Sequence, residues 1–514
     1  MQRSSKLFTA VLLALVTSHA LAAGVTRHVV LVVWDGMRPD FVTEKHTPVL
    51  YGLSKRGVTF DNHHPVYVSS TEVNATALAT GQYPERSGVI GNNEFRPDIN
   101  PLTSIMTGDF APIAKGDALT GGHFLNYPTV PEILHQQHLA TVVAGAKPVA
   151  VLWDRHAENK EDPNIDLFEG HVLPESDQAA LTTALGPFPP AAVPKIARDR
   201  WTTDALIQQF WKDNVPPFSV LWLSEPDNTQ HATGPGSATA LAALESSDHN
   251  LGRVLQVLNE KHLAETTDVI VVSDHGFSTI RQNVNIAADL KSHGFHAARS
   301  FPAPGPQPGD VLLVGNGGCV FLYVAGHDSE LITKLVRFIQ TRPYSGVVLT
   351  KAPLPGTFSL EDARIASANA PDIVLSLRWN DKRSPTGAPG ELFCDAPPSS
   401  TNRGTHASLS RFDLHNTCIA AGPDFRRDFH DKLPTGNVDI APTVLSILGV
   451  VPERKLSGRV LNEALVASSA PAPKVEHKRM EASWRSNGVG WKQYLKFSEV
   501  DGVRYLDEGN GEGN

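Results

Sequence analysis

The stretch HVVLVVWD, residues 28–35, decides the fold because it is an almost continuous apolar run that ends in an aspartate. Two further stretches share this form, SVLWLSEPD at residues 219–227 and VIVVSDH at residues 269–275. Short apolar runs are typical of strands buried on both faces of a parallel sheet. Ligands of open α/β sheets bind at the carboxyl ends of such strands. We therefore expect the three aspartates to converge at one edge of one sheet.

Strand-like and helix-like segments alternate along the chain, which predicts an α/β domain. The predicted strands lie at residues 28–34, 141–145, 219–223, 268–273, 371–377 and 416–421. Apolar residues at helical spacing predict a long helix at 237–262 and another at 438–448.

A region near residue 300 differs in composition, because it opens with a Pro- and Gly-rich stretch at 301–309. We interpret it as an inserted smaller subdomain or lid, within which an amphipathic helix is predicted at 328–341. The hairpin expected near the C-terminus turns at Asp501-Gly502. The predicted organisation is a catalytic core at 25–299 and 405–465, the insertion at 300–404, and a linker with a C-terminal tail at 466–514.

The composition is that of a folded protein, with 41% hydrophobic residues among 514. The net charge is -9, from 45 basic and 54 acidic residues, so no electrostatic case exists for binding a nucleic-acid backbone. The three cysteines are too few for a disulfide framework, although one Cys319–Cys394 bridge is a conjecture that the sequence allows. Cys418 lies in an apolar run and is expected in the core.

The N-terminal segment, residues 1–22, has the pattern of a cleaved signal peptide. Arg3 and Lys6 are basic, residues 7–16 form a short apolar stretch, and Ala20-Leu21-Ala22 fits a cleavage site. The apolar stretch is too short to span a membrane, and no later run is long enough to do so. We therefore expect a periplasmic or secreted protein.

Histidines accompany the aspartates in a pattern that suits zinc or a similar divalent ion. Asp227 and His231 are four residues apart, which places both on one face of a helical turn. An Asp-His pair, Asp274-His275, is costly to bury at a strand end without a partner. His406, in a Gly-Thr-His sequence, is a candidate third ligand.

Thr71 is the candidate nucleophile because it precedes a short helical stretch that ends at Gly81. As the predicted N-cap, its hydroxyl would lie beside the free N–H groups of a helix N-terminus, where a phosphoryl group can bind. A threonine hydroxyl needs a base or a metal to become a nucleophile, and a metal held by Asp35 and Asp274-His275 would serve. Asn92 could donate to a phosphoryl oxygen.

These segments together resemble the alkaline phosphatase superfamily, in its nucleotide pyrophosphatase/phosphodiesterase branch. The resemblance spans about residues 27 to 450, and the order of the segments is highly specific. The matching segments are VWDGMRPD (33–40), Ser70-Thr71 with Asn74, ATGQYPE (79–85), GVIGN (88–92), EPDNTQH (225–231), SDHG (273–276) and GTH (404–406).

The resemblance implies a three-layer α/β/α sandwich around a mostly parallel sheet, and two zinc ions. One ion would be held by Asp227, His231 and His406, and the other by Asp35, Thr71, Asp274 and His275. Thr71 would attack phosphorus and form a phospho-threonine intermediate that water then cleaves. Asn92 and the Thr71 backbone N–H would stabilise a phosphoryl oxygen.

Some positions depart from the family pattern and bear on the substrate. Glu72 stands where family nucleotidases usually have an aromatic residue that stacks on the base, which puts nucleotide selectivity in doubt. Trp222 matches a family aromatic position and could stack on a ring, and His415 could face the substrate or support the site. The expected substrate is a small phosphate ester or nucleotide, and the sequence specifies no oligomeric state.

Other functions on the same metal core are a phosphomonoesterase and a phosphonate hydrolase. A sulfatase is disfavoured because Ser69-Ser70-Thr71 lacks the sequence that yields formylglycine. A non-catalytic relative that binds phosphate esters would have lost the nucleophile or a ligand, whereas all seven positions are filled here.

Overall fold

The computed structural model describes residues 26–156, 164–468, 470–486 and 488–512. The predicted signal peptide at 1–22 lies outside these residues. Within the described part of the chain, no helix is both long and apolar enough to cross a membrane.

A nine-stranded sheet forms the centre of the molecule. Its strands lie in the order Phe429–Asp431, Val58–Phe60, Cys418–Ala421, Thr267–Val272, His28–Trp34, Phe218–Leu223, Thr141–Gly145, Ile165–Phe168 and His171–Leu173. The five strands from Thr267–Val272 to Ile165–Phe168 are parallel to one another, whereas the strands on either side of this group, Cys418–Ala421 and His171–Leu173, pair with it antiparallel. The three strands that the sequence predicts to end in aspartates are adjacent, with His28–Trp34 in the middle.

Side chains of the central strand alternate between two hydrophobic cores. Val29, Leu31 and Val33 enter one core, and Val30 with Val32 enters the other. Helices cover both faces, since residues of the helices Thr71–Thr80 and Ile440–Ile447 belong to the first core and residues of Ala238–Glu260 belong to the second. Continuous apolar strands are stable only when both faces are covered. The predicted three-layer α/β/α architecture with a mostly parallel sheet is therefore confirmed.

The predicted long helices are present with slightly shorter bounds, Ala238–Glu260, Ile440–Ile447 and Ser329–Ile339. The α-helices of the described residues are Pro48–Ser54, Thr71–Thr80, Pro84–Ser87, Phe110–Thr120, Val130–His135, Val151–Asp154, Gln178–Leu185, Ile196–Asp204, Asp227–Thr233, Ala238–Glu260, Ile286–Ser292, Ser329–Ile339 and Ile440–Ile447.

A second sheet of six strands has its own hydrophobic core and one long amphipathic helix. Its strands are, in spatial order, His296–Ala298, Asp310–Gly315, Cys319–Val324, Ile373–Leu377, Ser345–Thr350 and Phe358–Ser359. The predicted strand at 371–377 thus belongs to this sheet and not to the central one. Ile286 and Leu290 also pack into its core, so this unit begins before residue 300.

A four-stranded sheet lies between this unit and the region of the central sheet. Its order is Trp379–Arg383, Pro389–Asp395, Ser278–Val284 and Gly404–Thr405. The described residues also form two small ladders, His63–His64 with Thr435–Gly436 and Asn93–Glu94 with Ile105–Met106.

The C-terminal residues form a three-stranded antiparallel sheet with strands Val475–Ser486, Val489–Val500 and Val503–Gly511. The last two strands make the hairpin that turns at Asp501-Gly502. Trp491 packs into the core of the six-stranded unit, and Leu495 packs into the first core of the central domain. The segment is therefore part of the packed body and bridges its two units.

The conjectured Cys319–Cys394 bridge is wrong, because Cys319, Cys394 and Cys418 are all free and buried. Cys319 lies in the strand Cys319–Val324, whereas the Cys394 thiol is directed to the carbonyl of Gly317, 3.4 Å away.

A buried carboxyl group predicts how stability depends on pH. Burial, followed by the nearby Glu132, raises the pKa of Asp154 from 3.8 to about 7. Because the folded state holds this proton more tightly, the stabilising contribution is complete below the unfolded pKa and is lost as the pH rises through about 7. We expect the free energy of unfolding to fall by about 2.5 kcal/mol between pH 5 and pH 8 on account of this group.

Urea denaturation of wild type and Asp154→Asn at these two pH values measures the effect. The variant should lose this part of the pH dependence, whereas Asp213→Asn, at an exposed position, should keep it. If the free energy of unfolding changed equally between pH 5 and pH 8 in wild type and Asp154→Asn, the prediction would be contradicted.

Candidate active site

Three carboxylates meet at the carboxyl edge of the central sheet. Asp35 directly follows the strand His28–Trp34, and Asp274 lies two residues after the end of the neighbouring parallel strand Thr267–Val272. Asp227 begins the helix Asp227–Thr233. The backbone N–H of Gly36 donates to Asp274 Oδ1 at 2.9 Å, and the Asp227 N–H donates to the carbonyl of Asp35 at 3.0 Å. The adjacent strands thus bring together aspartates that are far apart in sequence.

Three histidine side chains point their Nε2 atoms at these carboxylates. His275 Nε2 lies 3.4 Å from Asp274 Oδ2 and 3.7 Å from Asp35 Oδ1. His231 Nε2 and His406 Nε2 lie 3.2 Å and 3.8 Å from the same oxygen, Oδ1 of Asp227. The rings of His275 and His406 stack with centroids 3.7 Å apart. Two groups share Asp227, one with His231 and His406 and one with Asp35 and His275.

Backbone carbonyls fix the tautomer of each ring. The Nδ1 atoms of His231, His275 and His406 face the carbonyls of Gly404, Gly276 and Ser69, at 3.0, 2.8 and 3.0 Å. Each Nδ1 therefore carries the proton and donates it, which leaves Nε2 free to bind a metal. Burial lowers the pKa of His275 and of His406, which favours the neutral, metal-binding form.

Unsatisfied carboxylate oxygens indicate that the cluster suits cations. Asp35 Oδ1, Asp227 Oδ1 and Asp274 Oδ2 are buried and have no hydrogen-bond partner among the described residues. Buried polar atoms are normally paired, and buried charges are paired or coordinate metals. Carboxylate oxygens and imidazole nitrogens together fit zinc or a similar divalent ion.

Thr71 lies at this cluster as the first residue of the helix Thr71–Thr80. Its Oγ1 is 3.2 Å from His275 Nε2. The N-cap is Ser70, with extended backbone angles, so the expectation that Thr71 itself would be the N-cap is wrong. The first turn of a helix has free N–H groups, so an anion beside Thr71 would still meet backbone donors.

Comparison with known proteins assigns the family. The family model described as type I phosphodiesterase / nucleotide pyrophosphatase matches residues 29–381, which is more than half of the chain. The chain belongs to this family. The matched region includes Asp35, Thr71, Asp227, His231 and the Asp274-His275 pair, whereas His406 lies beyond it.

Relatives and solved structures agree with the family assignment. Human ectonucleotide pyrophosphatase/phosphodiesterase family member 1 is 27% identical over 47% of this chain and 22% of its own length. Venom phosphodiesterase 2 of Crotalus adamanteus is 24% identical over 53% of this chain and 29% of its own length. The chain thus spans roughly a quarter of the length of these relatives. Rat family member 7 is 22% identical over 87% of this chain and 89% of its own length.

The fold is shared with human ectonucleotide pyrophosphatase/phosphodiesterase 5, at a TM-score of 0.60, 17% identity, and coverage of 85% of this chain and 100% of that one. The murine protein was solved as an inactive threonine-to-alanine variant in complex with AMP. It has a TM-score of 0.58 and 17% identity, with coverage of 83% of this chain and 97% of the murine one.

Asn92 and Glu72 flank the threonine of this family member. The Glu72 backbone N–H donates to Asn92 Oδ1 at 3.1 Å, so the amide NH₂ of Asn92 is the group that can donate to a ligand. Glu72 is buried, and its Oε2 has no hydrogen-bond partner among the described residues. Burial raises the pKa of Glu72 to about 7. A carboxyl group, and not an aromatic ring, therefore follows Thr71 here.

Two residues predicted to face the substrate have other contacts. Trp222 is fully buried, and its indole N–H donates to Asp35 Oδ2 at 2.9 Å, so it orients a carboxylate and offers no face for stacking. The His415 side chain contacts Asn62 and the Arg411 carbonyl, and its ring lies 4.5 Å from that of His64. Neither contact joins it to the cluster around Asp227. The stacking prediction is therefore wrong for Trp222, whereas a supporting or substrate-facing role of His415 stays a prediction.

Lys147 is a site residue that the sequence analysis missed. Its Nζ lies 2.8 Å from Asp35 Oδ2 and 3.0 Å from Asp227 Oδ2. Although burial opposes the charged form, the two aspartates raise the pKa of Lys147 well above its usual value. The residue follows the strand Thr141–Gly145, so its position after a predicted strand of the same sheet was the available signal.

Proposed function

We propose that this chain is a two-metal hydrolase of phosphodiester or phosphoanhydride bonds that uses Thr71 as its nucleophile. The observation that carries the proposal is the position of Thr71 Oγ1, 3.2 Å from His275 Nε2 and at the start of a helix beside unsatisfied carboxylates. A nucleophile, an anion site and a set of metal ligands are the parts that this chemistry requires.

Zinc is the proposed metal, with Asp227, His231 and His406 for one ion and Asp35, Thr71, Asp274 and His275 for the other. The three imidazoles, each with Nδ1 directed to a backbone carbonyl, and the unpaired carboxylate oxygens support these ligand sets. When bound, such a metal pair neutralises phosphoryl charge and makes a hydroxyl more acidic.

The residues of the chain have distinct proposed roles in the reaction. Thr71 Oγ1 gives up its proton to solvent and forms a bond to phosphorus, while the bond from phosphorus to the leaving oxygen breaks and that oxygen takes up a proton from solvent. The product of this step is a phospho-threonine, from which water releases the phosphate ester or phosphate and restores the hydroxyl. The Asn92 amide NH₂ and the Thr71 N–H would donate to a phosphoryl oxygen, whose charge grows in the transition state.

The substrate is proposed to be a small phosphodiester or nucleotide, as in the names of the relatives. Glu72 and Lys147 give the cleft a carboxyl and an ammonium group, so polar groups of the substrate can pair there. Phosphomonoester or phosphonate hydrolysis on the same core is the competing function. Export to the periplasm or the exterior is also proposed, on the pattern of residues 1–22.

The ratio of hydrolysis rates for bis-(p-nitrophenyl) phosphate and p-nitrophenyl phosphate tests the proposal on zinc-loaded protein. We expect the diester to be strongly preferred, after which dinucleotides and nucleoside triphosphates would be assayed. A monoester preference would favour the phosphatase alternative. If neither ester is cleaved, phosphonates become the next substrates, and failure with these as well would indicate a non-catalytic relative.

A further inference from the structure

A second group of candidate metal ligands lies outside the active site. His64, His415 and Asp507 each offer one ligand atom, and these atoms all lie within 4.8 Å of one another. His64 belongs to the short strand His63–His64, His415 precedes the strand Cys418–Ala421, and Asp507 lies in the strand Val503–Gly511. The group thus joins two parts of the catalytic domain to the C-terminal sheet.

Two neutral histidines have too few N–H groups for the hydrogen-bond acceptors that surround these two rings. His64 Nδ1 faces the Thr435 carbonyl at 3.0 Å, and its Nε2 faces Asp507 Oδ1 at 3.1 Å. His415 Nδ1 faces the Arg411 carbonyl at 2.9 Å, and its Nε2 faces Asn62 Oδ1 at 3.1 Å. All four partners are oxygen acceptors, whereas a neutral imidazole has only one N–H to donate.

Two protonated rings are an unfavourable way to satisfy these acceptors. The ring centroids are 4.5 Å apart, and the His64 side chain is fully buried. Like charges at this separation repel, and burial adds a desolvation cost for each of them. Burial, followed by the neighbouring His64, lowers the pKa of His415 to about 4. One carboxylate, that of Asp507, would have to compensate both charges.

We propose that these residues form a structural site for a divalent cation of the zinc class. One ion would be bound by Nε2 of His64, Nε2 of His415, the carboxylate of Asp507 and Oδ1 of Asn62. It takes the place of the two missing protons, and both Nδ1–H groups keep their bonds to backbone carbonyls, as metal-binding histidines commonly do. Four protein ligands are typical of a closed, structural zinc site.

The surroundings suit a bound ion that links the two parts of the chain. The Asp507 side chain is 25% exposed, so an ion can reach the group from solvent. Its Oδ2 also accepts a hydrogen bond from Ser498 Oγ at 3.0 Å, which orients the carboxylate within the C-terminal sheet. A cation held here would therefore fasten this sheet to the catalytic domain.

The test is the zinc content of the full chain after zinc loading and dialysis, measured by elemental analysis for wild type and Asp507→Asn. We expect Asp507→Asn to contain one zinc per chain less than wild type. Asp501→Asn, at the exposed turn of the same sheet, is the matched control and should keep the wild-type content. The readout is a difference between variants, so it does not depend on how many ions the active site holds.

A second variant guards against a folding defect in the first. His415→Gln should also lose one zinc, and its melting temperature should respond less to a chelator than that of wild type. Retention of diester hydrolysis, where wild type has it, shows that the ion lost is not from the active site. Equal zinc content in wild type and both variants would overturn the proposal, and would indicate a His64–Asp507 ion pair with the Asn62 amide turned to donate.

Discussion

Replacement of Thr71 by alanine is expected to lower kcat for diester hydrolysis by about 10⁴-fold or more, because the variant has no oxygen to attack phosphorus. The helix should persist, since Ser70 is the N-cap and alanine is a strong helix former. The metal content should stay close to that of wild type, because aspartate and histidine supply most of the proposed ligands. Steady-state kinetics and elemental analysis on the same samples measure both quantities.

Two matched variants separate the chemistry from effects on packing. Thr71→Ser keeps a hydroxyl and should retain much more activity than Thr71→Ala. Thr76→Ala removes a buried hydroxyl from the same helix, one that donates to the Glu72 carbonyl, and should leave kcat within about 10-fold of wild type. Wild-type turnover in Thr71→Ala would show that another group is the nucleophile.

Replacement of His231 by alanine is expected to remove one metal ion per chain and to lower activity by about 10³-fold or more, since one of the two clamps on the phosphoryl group is lost. The His231 side chain is 42% exposed, so truncation should disturb packing little. Zinc content and diester hydrolysis of the purified variant give the result.

Asp227→Asn should act in the same direction and more strongly, because its Oδ1 lies near all three imidazoles of the cluster. His46→Ala is a suitable control, since this histidine pairs with Glu245 at the surface. Full metal occupancy in both His231→Ala and Asp227→Asn would refute the proposed ligand set.

The central strands could be predicted from sequence because each is an apolar run with a polar end. The strand Thr141–Gly145 has the bounds that the sequence predicts, whereas Val58–Phe60 and Phe429–Asp431 were missed because three residues show no periodicity. Local pattern also cannot decide which sheet a strand joins. For this reason the sequence could not indicate that the predicted strand at 371–377 lies in the six-stranded sheet and not in the central one.

The candidate site shows the same division between local and tertiary information. Asp227 and His231 are recognisable because ligands on one helical turn leave a spacing in the sequence. Lys147 leaves no such spacing, since its two partners come from other strands. Trp222 was misjudged because only the pairing of its strand determines that the indole N–H meets Asp35. The free state of Cys319 likewise depends on tertiary position.

The C-terminal sheet has a consequence for the order in which the protein is made. The Gly509 N–H donates to the carbonyl of Leu409 at 2.8 Å, three residues after His406, and the Trp379 indole donates to the Gly509 carbonyl at 2.7 Å. Contacts between residues so distant in sequence form late, because the loop between them must first close. During synthesis from the N-terminus, every proposed ligand of the catalytic metals emerges before the strand that steadies the His406 loop. A nascent chain therefore contains all of these ligands before the strand that contacts the His406 loop has been synthesised.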